Sequence, residues 1–232
     1  MRALFAASME LQYVPRQWRV SKAVFIPKAG KEDYANPRAW RPISLMSFVF
    51  KTLERLLLWH LEETVLAEYP MHHNQHAFRK GRSTESALSD TVDHLEHSTL
   101  NGGVAVAVFL DIEGAFDNLL PDGIVRSLEH RHTPAHLVEW LRKYLASRYV
   151  TVDYRQAHAT RKLVKGTPQG GVLSPILWNL AFDEVLSLVE PTPIKAFGYA
   201  DDLALVGRGP DVQTIISQMQ VVLDKVAAWG VS

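Results

Sequence analysis

Cysteine is absent from all 232 residues, which excludes a disulfide scaffold, thiolate zinc sites, iron–sulfur clusters and a cysteine nucleophile. There is also no run of about 18 apolar residues, since LERLLLWHLEE is short and broken by charge. The amino terminus has no apolar core followed by a small-residue cleavage site. Together these absences predict an intracellular protein that is neither secreted nor membrane-anchored. Internal repeats, low-complexity tracts and clean linkers are missing too. Apolar residues at 47% and charged residues at 22% form an ordinary globular balance, and the length suits one large domain or two small ones sharing a core.

Net charge is likewise zero, with 25 Lys and Arg against 25 Asp and Glu. The distribution is uneven: residues 1–82 hold 13 basic and 7 acidic side chains, residues 126–165 hold 9 and 3, and the remainder is acidic. Two basic zones around an acidic centre suit a polyanion held at its flanks, with divalent cations between.

Hydrophobic spacing and breakers predict the elements. A short helix over 4–13 stops at Pro15, and a strand over 19–27 leads into a loop running to Pro42. Ser47 starts a long helix to about 68, and Ser83 caps a second to about 100, with Ser86 three residues on where a glutamate would complete the usual box. VAVAVFLD reads as a strand buried on both faces and ending in Asp111. Helices opened by Pro121 and Pro134 follow, then paired strands over 149–154 and 158–164, a helix over 172–189, a hairpin over 194–206 and a last helix from Asp211. This order predicts an α+β domain with one central antiparallel sheet and helices on one face.

A lone Asp at a strand end is commonly a cap, and an Asp-Asp pair in a hairpin turn is common as well. Three carboxylates at the ends of short strands of one sheet, however, can converge. Unrelieved, they repel one another, and divalent cations remove that penalty. Mg²⁺ prefers hard oxygen ligands, and two such ions about 3.5–4 Å apart can activate a hydroxyl and stabilise a departing pyrophosphate.

FLDIEGAFD and YADD, with KGTPQGGVLSP between them, resemble the catalytic blocks of reverse transcriptases. WRVSKAVFIPKAGK, RAWRPISL, KTLERLL and NQHAFRKGRSTESAL resemble the N-terminal blocks of the non-LTR retrotransposon enzymes, the jockey-like kind in particular. The resemblance implies a right-hand polymerase fold with fingers over 1–100 and, over 101–232, a palm with a ferredoxin-like antiparallel sheet packed on helices. It further implies an RNA-directed DNA polymerase that adds deoxynucleotides to a primer 3′-OH, with an RNA template, a DNA primer, dNTPs and two Mg²⁺ ions (Mn²⁺ a possible substitute).

Carried over residue by residue, Asp111, Asp201 and Asp202 would be catalytic metal ligands, with the Ile112 carbonyl as a further ligand beside the nucleotide. Asp111 and Asp201 would be the stronger ligands, because side chains alternate along a strand. Phe116 would lie beneath the incoming sugar and reject a 2′-hydroxyl. Gln169, Gly170 and Gly171 would form the nucleotide-positioning loop before a helix N-terminus. Lys28 and Arg41 would hold the triphosphate, and Arg79, Lys80 and Arg82 would face the template backbone. The ten histidines lack the partners a zinc site favours and read as solvated loop and helix surface, while the six tryptophans read as core.

Set against the intact family pattern, the sequence looks truncated: the palm strand with its Lys motif, the primer-grip turn and the thumb are not recognisable. Two alternatives therefore stand beside the polymerase: a catalytically inactive nucleic-acid-binding remnant, and an RNA-dependent RNA polymerase, which Phe116 and YADD disfavour.

Overall fold

The computed structural model describes the backbone of residues 1–100 and 102–230, and their side chains apart from residues 98–100. In chain order the elements are α1 (Arg2–Glu10), α2 (Arg16–Arg19), β1 (Val20–Pro27), β2 (Trp40–Leu45), α3 (Phe48–His60), α4 (Leu66–Glu68), α5 (Thr84–Leu100), β3 (Val104–Asp111), α6 (Ala115–Asn118), α7 (Pro121–His130), α8 (Ala135–Ala146), β4 (Arg148–Tyr154), β5 (Ala157–Leu163), α9 (Ser174–Val189), β6 (Ile194–Tyr199), β7 (Asp202–Gly209) and α10 (Val212–Gly230). A π-helical turn over Leu61–Val65 links α3 to α4, so the long expected helix is one path with a local widening.

Two compact units share the chain, and neither is continuous in sequence. The first comprises Met1–Tyr69 and Phe116–Trp178. Its sheet has the order β2-β1-β4-β5. Strands β1 and β2 run antiparallel, with Val24 opposite Ile43 and Ile26 opposite Arg41, whereas β1 and β4 run parallel, with Ser21 opposite Val150. The expected hairpin of β4 and β5 is present but belongs here, in a second sheet that sequence reading did not provide. Strand β2 was expected as loop because Pro42 lies in it. Pro42 is tolerated because β2 is an edge strand, where a missing N–H breaks no second ladder.

The core of this unit is aromatic. Phe50 of α3 lies 4.9 Å from Tyr144 and 6.4 Å from Trp140 of α8, and 5.7 Å from Trp18 (centroid distances). The Trp140 indole N–H donates to Ser8 Oγ at 3.1 Å, so the polar edge of the ring enters the core with a partner. Burying each ring contributes about 1.5–3 kcal/mol.

The second unit comprises Pro70–Ala115 and Asn179–Ser232. Its antiparallel sheet has the order β3-β7-β6, with α5 and α10 packed on β3 and β7. Helix α5 starts as expected: the Ser86 N–H donates to Ser83 Oγ at 3.2 Å, and the Ser83 N–H donates to Ser86 Oγ at 2.9 Å. Serine thus completes a capping box in place of glutamate. Strand β3 departs from expectation. It is an edge strand, only half covered, and Phe109 is 71% exposed. An apolar run of strand length shows that a strand forms, and the number of its neighbours then decides how deeply it is buried. No helix of the described residues is long and apolar enough to cross a membrane.

Candidate active site

In the second unit, Tyr199 pairs with Asp202, so Ala200 and Asp201 alone form the loop between β6 and β7. Ala200 adopts φ +53°, a left-handed conformation that such two-residue loops require and that a Cβ makes costly. On the other side of β7, Asp111 at the end of β3 is the direct partner of Asp202. Directly opposed antiparallel residues have Cα atoms about 4.5–5.5 Å apart and side chains on one face. Immediately beyond, the Ile112 N–H donates to the Asp201 carbonyl at 2.9 Å. The three aspartates, all exposed, therefore gather at one end of this sheet. Partial burial, and then the charges of Asp201 and Asp111, hold the Asp202 carboxyl above the ordinary carboxylate range. Ladder pairing makes Asp202 the residue that faces Asp111.

These residues fit divalent cations. Their donors are hard oxygens, and the mutual repulsion felt at Asp202 is the penalty that a cation relieves. They do not close around a single point: among the described residues, the one group of three such side chains with all ligand atoms within 4.8 Å is His72, His73 and Glu190. That group is poorly suited to metal. His72 Nδ1 accepts the Asn74 N–H at 3.1 Å, so in the neutral ring Nε2 carries the proton and presents it to Glu190, 3.7 Å away. The expectation of solvated loop histidines is also corrected here. His76 is fully buried, with Nδ1 2.9 Å from Ser86 Oγ and Nε2 3.5 Å from Asp90, so it ties the loop to α5.

The PQGG loop lies in the first unit and is pinned along its length. At its upstream end the buried guanidinium of Arg148 donates to the carbonyls of Lys165 and Gly166. The Gly166 and Thr167 N–H groups donate to the carbonyls of Leu119 and Phe116, at 2.7 and 2.6 Å. Gly166 has φ +78°, and a Cβ there would lie 2.7 Å from the carbonyl oxygens of both Phe116 and Asp117, so no other residue fits unstrained. Further on, Gln169 accepts the Ser44 N–H at 2.8 Å, and Gly170 (φ +105°) passes so close to β2 that a Cβ would lie 3.1 Å from the Ser44 carbonyl. At the downstream end, the Val172 N–H donates to Glu54 at 3.1 Å.

Lys28 and Gln169, expected as nucleotide contacts, share a neighbour that sequence reading did not select. The Gln169 side chain and Lys28 both lie near enough to stabilise the charge of the Asp117 carboxylate, but partial burial outweighs them and pushes the carboxyl up. Arg41 is exposed on β2, and the Phe116 ring lies 6.1 Å from that of Trp178. Among the expected template contacts, Lys80 is exposed. Arg79 donates to the carbonyls of His72 and Gln75 at 2.8 and 2.9 Å, while Arg82 lies 3.5 Å from Asp90. In the basic zone over 126–165, Arg131 and Arg148 are buried, and both donate to backbone carbonyls. Of the six tryptophans, Trp18, Trp140 and Trp178 are core, whereas Trp59 is 51% exposed.

A family model described as "Reverse transcriptase (RNA-dependent DNA polymerase)" matches residues 26–232. The chain belongs to the reverse transcriptase family. It is 28% identical over 232 residues to the probable RNA-directed DNA polymerase from transposon BS of Drosophila melanogaster, covering 97% of this chain and 25% of that protein. It is 27% identical to the RNA-directed DNA polymerase from mobile element jockey of the same species, covering 98% and 25%. The chain thus spans about a quarter of the length of the curated relatives it matches. Among solved structures, apo telomerase from Candida tropicalis, truncated from its C-terminal domain, matches with a TM-score of 0.66 at 13% identity, over 94% of this chain and 49% of that one. At such identity the likeness shows the fold alone, which is a right-hand polymerase fold of α+β topology.

Asp117 and Glu54, like Arg148, escaped sequence reading. Asp117 was within the quoted FLDIEGAFD, and its place just before the helix opened by Pro121 gave no sign of a partner near 169. Glu54 sits in an ordinary-looking amphipathic helix, and its partner is 118 residues away.

Proposed function

We propose that this chain is the polymerising domain of an RNA-directed DNA polymerase, extending a primer 3′-OH with dNTPs on an RNA template. The observation that carries the reading is the facing of Asp111 and Asp202 across β3 and β7, closed by the Ile112–Asp201 hydrogen bond, inside the span matched to the family. Asp111, Asp201, Asp202 and the Ile112 carbonyl would hold two Mg²⁺ ions, with Mn²⁺ as a substitute. When bound, those ions supply Lewis-acid activation of the primer hydroxyl and neutralise the pyrophosphate that leaves.

The protein's own residues do the rest. Lys28, as a point charge, and Arg41, as a fork, bind the β- and γ-phosphates. Phe116 stands beneath the sugar and excludes a 2′-hydroxyl. Gln169 and Gly170 orient the nucleotide through a backbone held rigid by its neighbours. Lys80, with Arg79 and Arg82, follows the template phosphates.

The test is extension of a DNA primer on an RNA template with Mg²⁺, comparing dNTPs with ribonucleotides and the parent with Asp201→Asn. The reading expects extension with dNTPs, little with ribonucleotides and none in the variant. Extension that survives Asp201→Asn, or that prefers ribonucleotides, refutes it.

A further inference from the structure

We propose that Glu54 is the positioning residue of the nucleotide loop, a buried carboxylate on α3 that fixes where residues 169–171 present their backbone. This rests on the role given to that loop above. Glu54 is 1% exposed, and Oε2 accepts the Val172 N–H at 3.1 Å. The Leu173 N–H also lies near enough to stabilise the charge of this carboxyl group, while Oε1 is buried without a partner. The groups facing this carboxylate are Lys51 on its own helix, the Tyr144 phenol on α8, and the Val172 and Leu173 amides leading into α9. Arg148, at the start of β4, lies over the Tyr144 ring, 5.9 Å from its centroid.

Position and polarity agree. Amides at a helix start are orphaned donors at the positive end of the helix dipole, and an anion satisfies both needs. Arg148 takes the carbonyls at the upstream end of the loop, so opposite charges grip opposite backbone groups at its two ends. Between them the loop is braced: the Gly171 N–H and Ser174 Oγ both donate to the Pro168 carbonyl, at 2.9 and 2.7 Å. A rigid segment fixed at both ends moves when one fixing is weakened.

Burial pushes the Glu54 carboxyl up to about 7. The charged form, which accepts the Val172 N–H strongly, prevails above that pH and is lost below it. Loop placement therefore carries its own pH dependence in the neutral range.

The experiment measures binding of a fluorescent dNTP with Mg²⁺ to this chain between pH 6 and 8.5, for the parent, Glu54→Gln and Gln169→Ala, with thermal unfolding alongside. Titration of the dNTP γ-phosphate and of the histidines is common to all three proteins, so the differences between them carry the answer. Exchanging a charged for a neutral acceptor weakens binding about fivefold. The parent should lose about that factor from pH 8.5 to 6, and Glu54→Gln should show the weaker affinity throughout while unfolding at a higher temperature than the parent at pH 8.5. Gln169→Ala should bind weakly at every pH. Should Glu54→Gln bind like the parent while Gln169→Ala binds weakly, Glu54 has no positioning role and the loop reading stands. Loss of thermal stability together with affinity in Glu54→Gln makes Glu54 a packing residue and overturns the proposal. Parent-like binding in Gln169→Ala overturns the loop reading, and the proposal with it. Hydrogen exchange of the parent adds a measurement free of variants: the Val172 amide, corrected for its intrinsic rate, should lose protection below pH 7, and constant protection overturns the proposal.

Discussion

Asp111 and Asp202 face each other across the ladder between β3 and β7, and one residue further on Ile112 donates its N–H to the carbonyl of Asp201. Regular pairing of the two strands thus delivers the carboxylates together, with no special loop needed to carry Asp111. The arrangement stores repulsion, visible at Asp202, that relaxes when a divalent cation arrives or one charge is removed.

Asp201→Asn should abolish Mg²⁺-dependent primer extension, by about a thousandfold or more if the ion interaction is worth several kcal/mol, and leave template affinity unchanged. Steady-state extension and filter binding of the template check the two halves separately.

Phe116→Ala should relax the choice of sugar. Removing a steric block of a few atoms changes discrimination by about 10- to 200-fold, read as the ratio of dNTP to ribonucleotide incorporation. Unchanged discrimination would confine Phe116 to packing beside Trp178.

Gly166→Ala should destabilise the first unit by about 2–4 kcal/mol, since the new methyl adds left-handed strain to a collision with two carbonyl oxygens. Thermal unfolding should show a fall of roughly 4–15 °C at the usual sensitivity for this size.

Ser83→Ala removes the side-chain cap of α5 and should cost about 1 kcal/mol, a fall of roughly 2–4 °C. Ser86→Ala should cost more, because that hydroxyl also serves the Ser83 N–H and the buried ring of His76.

Glu54 gives stability a slope with pH. Its carboxyl is raised from 4.5 to about 7 in the folded chain, so folding favours the neutral form. The contribution is greatest below 4.5, declines as pH rises through the window to about 7, and is level above it. Its full size is on the order of 3 kcal/mol. The difference in unfolding free energy between the parent and Glu54→Gln, measured from pH 4 to 8, should trace this decline.

Much of this was legible in the sequence because it is local. Asp111 ends an apolar run, Asp201 and Asp202 interrupt two others, and Ser83 precedes a helical period, so each announces its own element. Strand β2 was hidden because Pro42 argues against a strand until its edge position is known. Burial of β3 was misjudged because VAVAVFLD records only the chain's own preference, whereas β3 lies at the sheet edge and Phe109 is exposed. Glu54, Asp117 and Arg148 were invisible for a different reason: each acts on backbone or side chains far along the chain, and a charged residue in an amphipathic helix or a basic stretch looks solvated until its partner is placed.

The interleaved assembly of the two units has a consequence for biosynthesis. Residues 1–69 share their core with 116–178, so Phe50 has neither Trp140 nor Tyr144 to meet until the chain between them has left the ribosome. At about 5–20 residues per second, that leaves an apolar nascent helix waiting on the order of ten seconds. A translational pause or a missing chaperone in that interval should favour aggregation over productive folding.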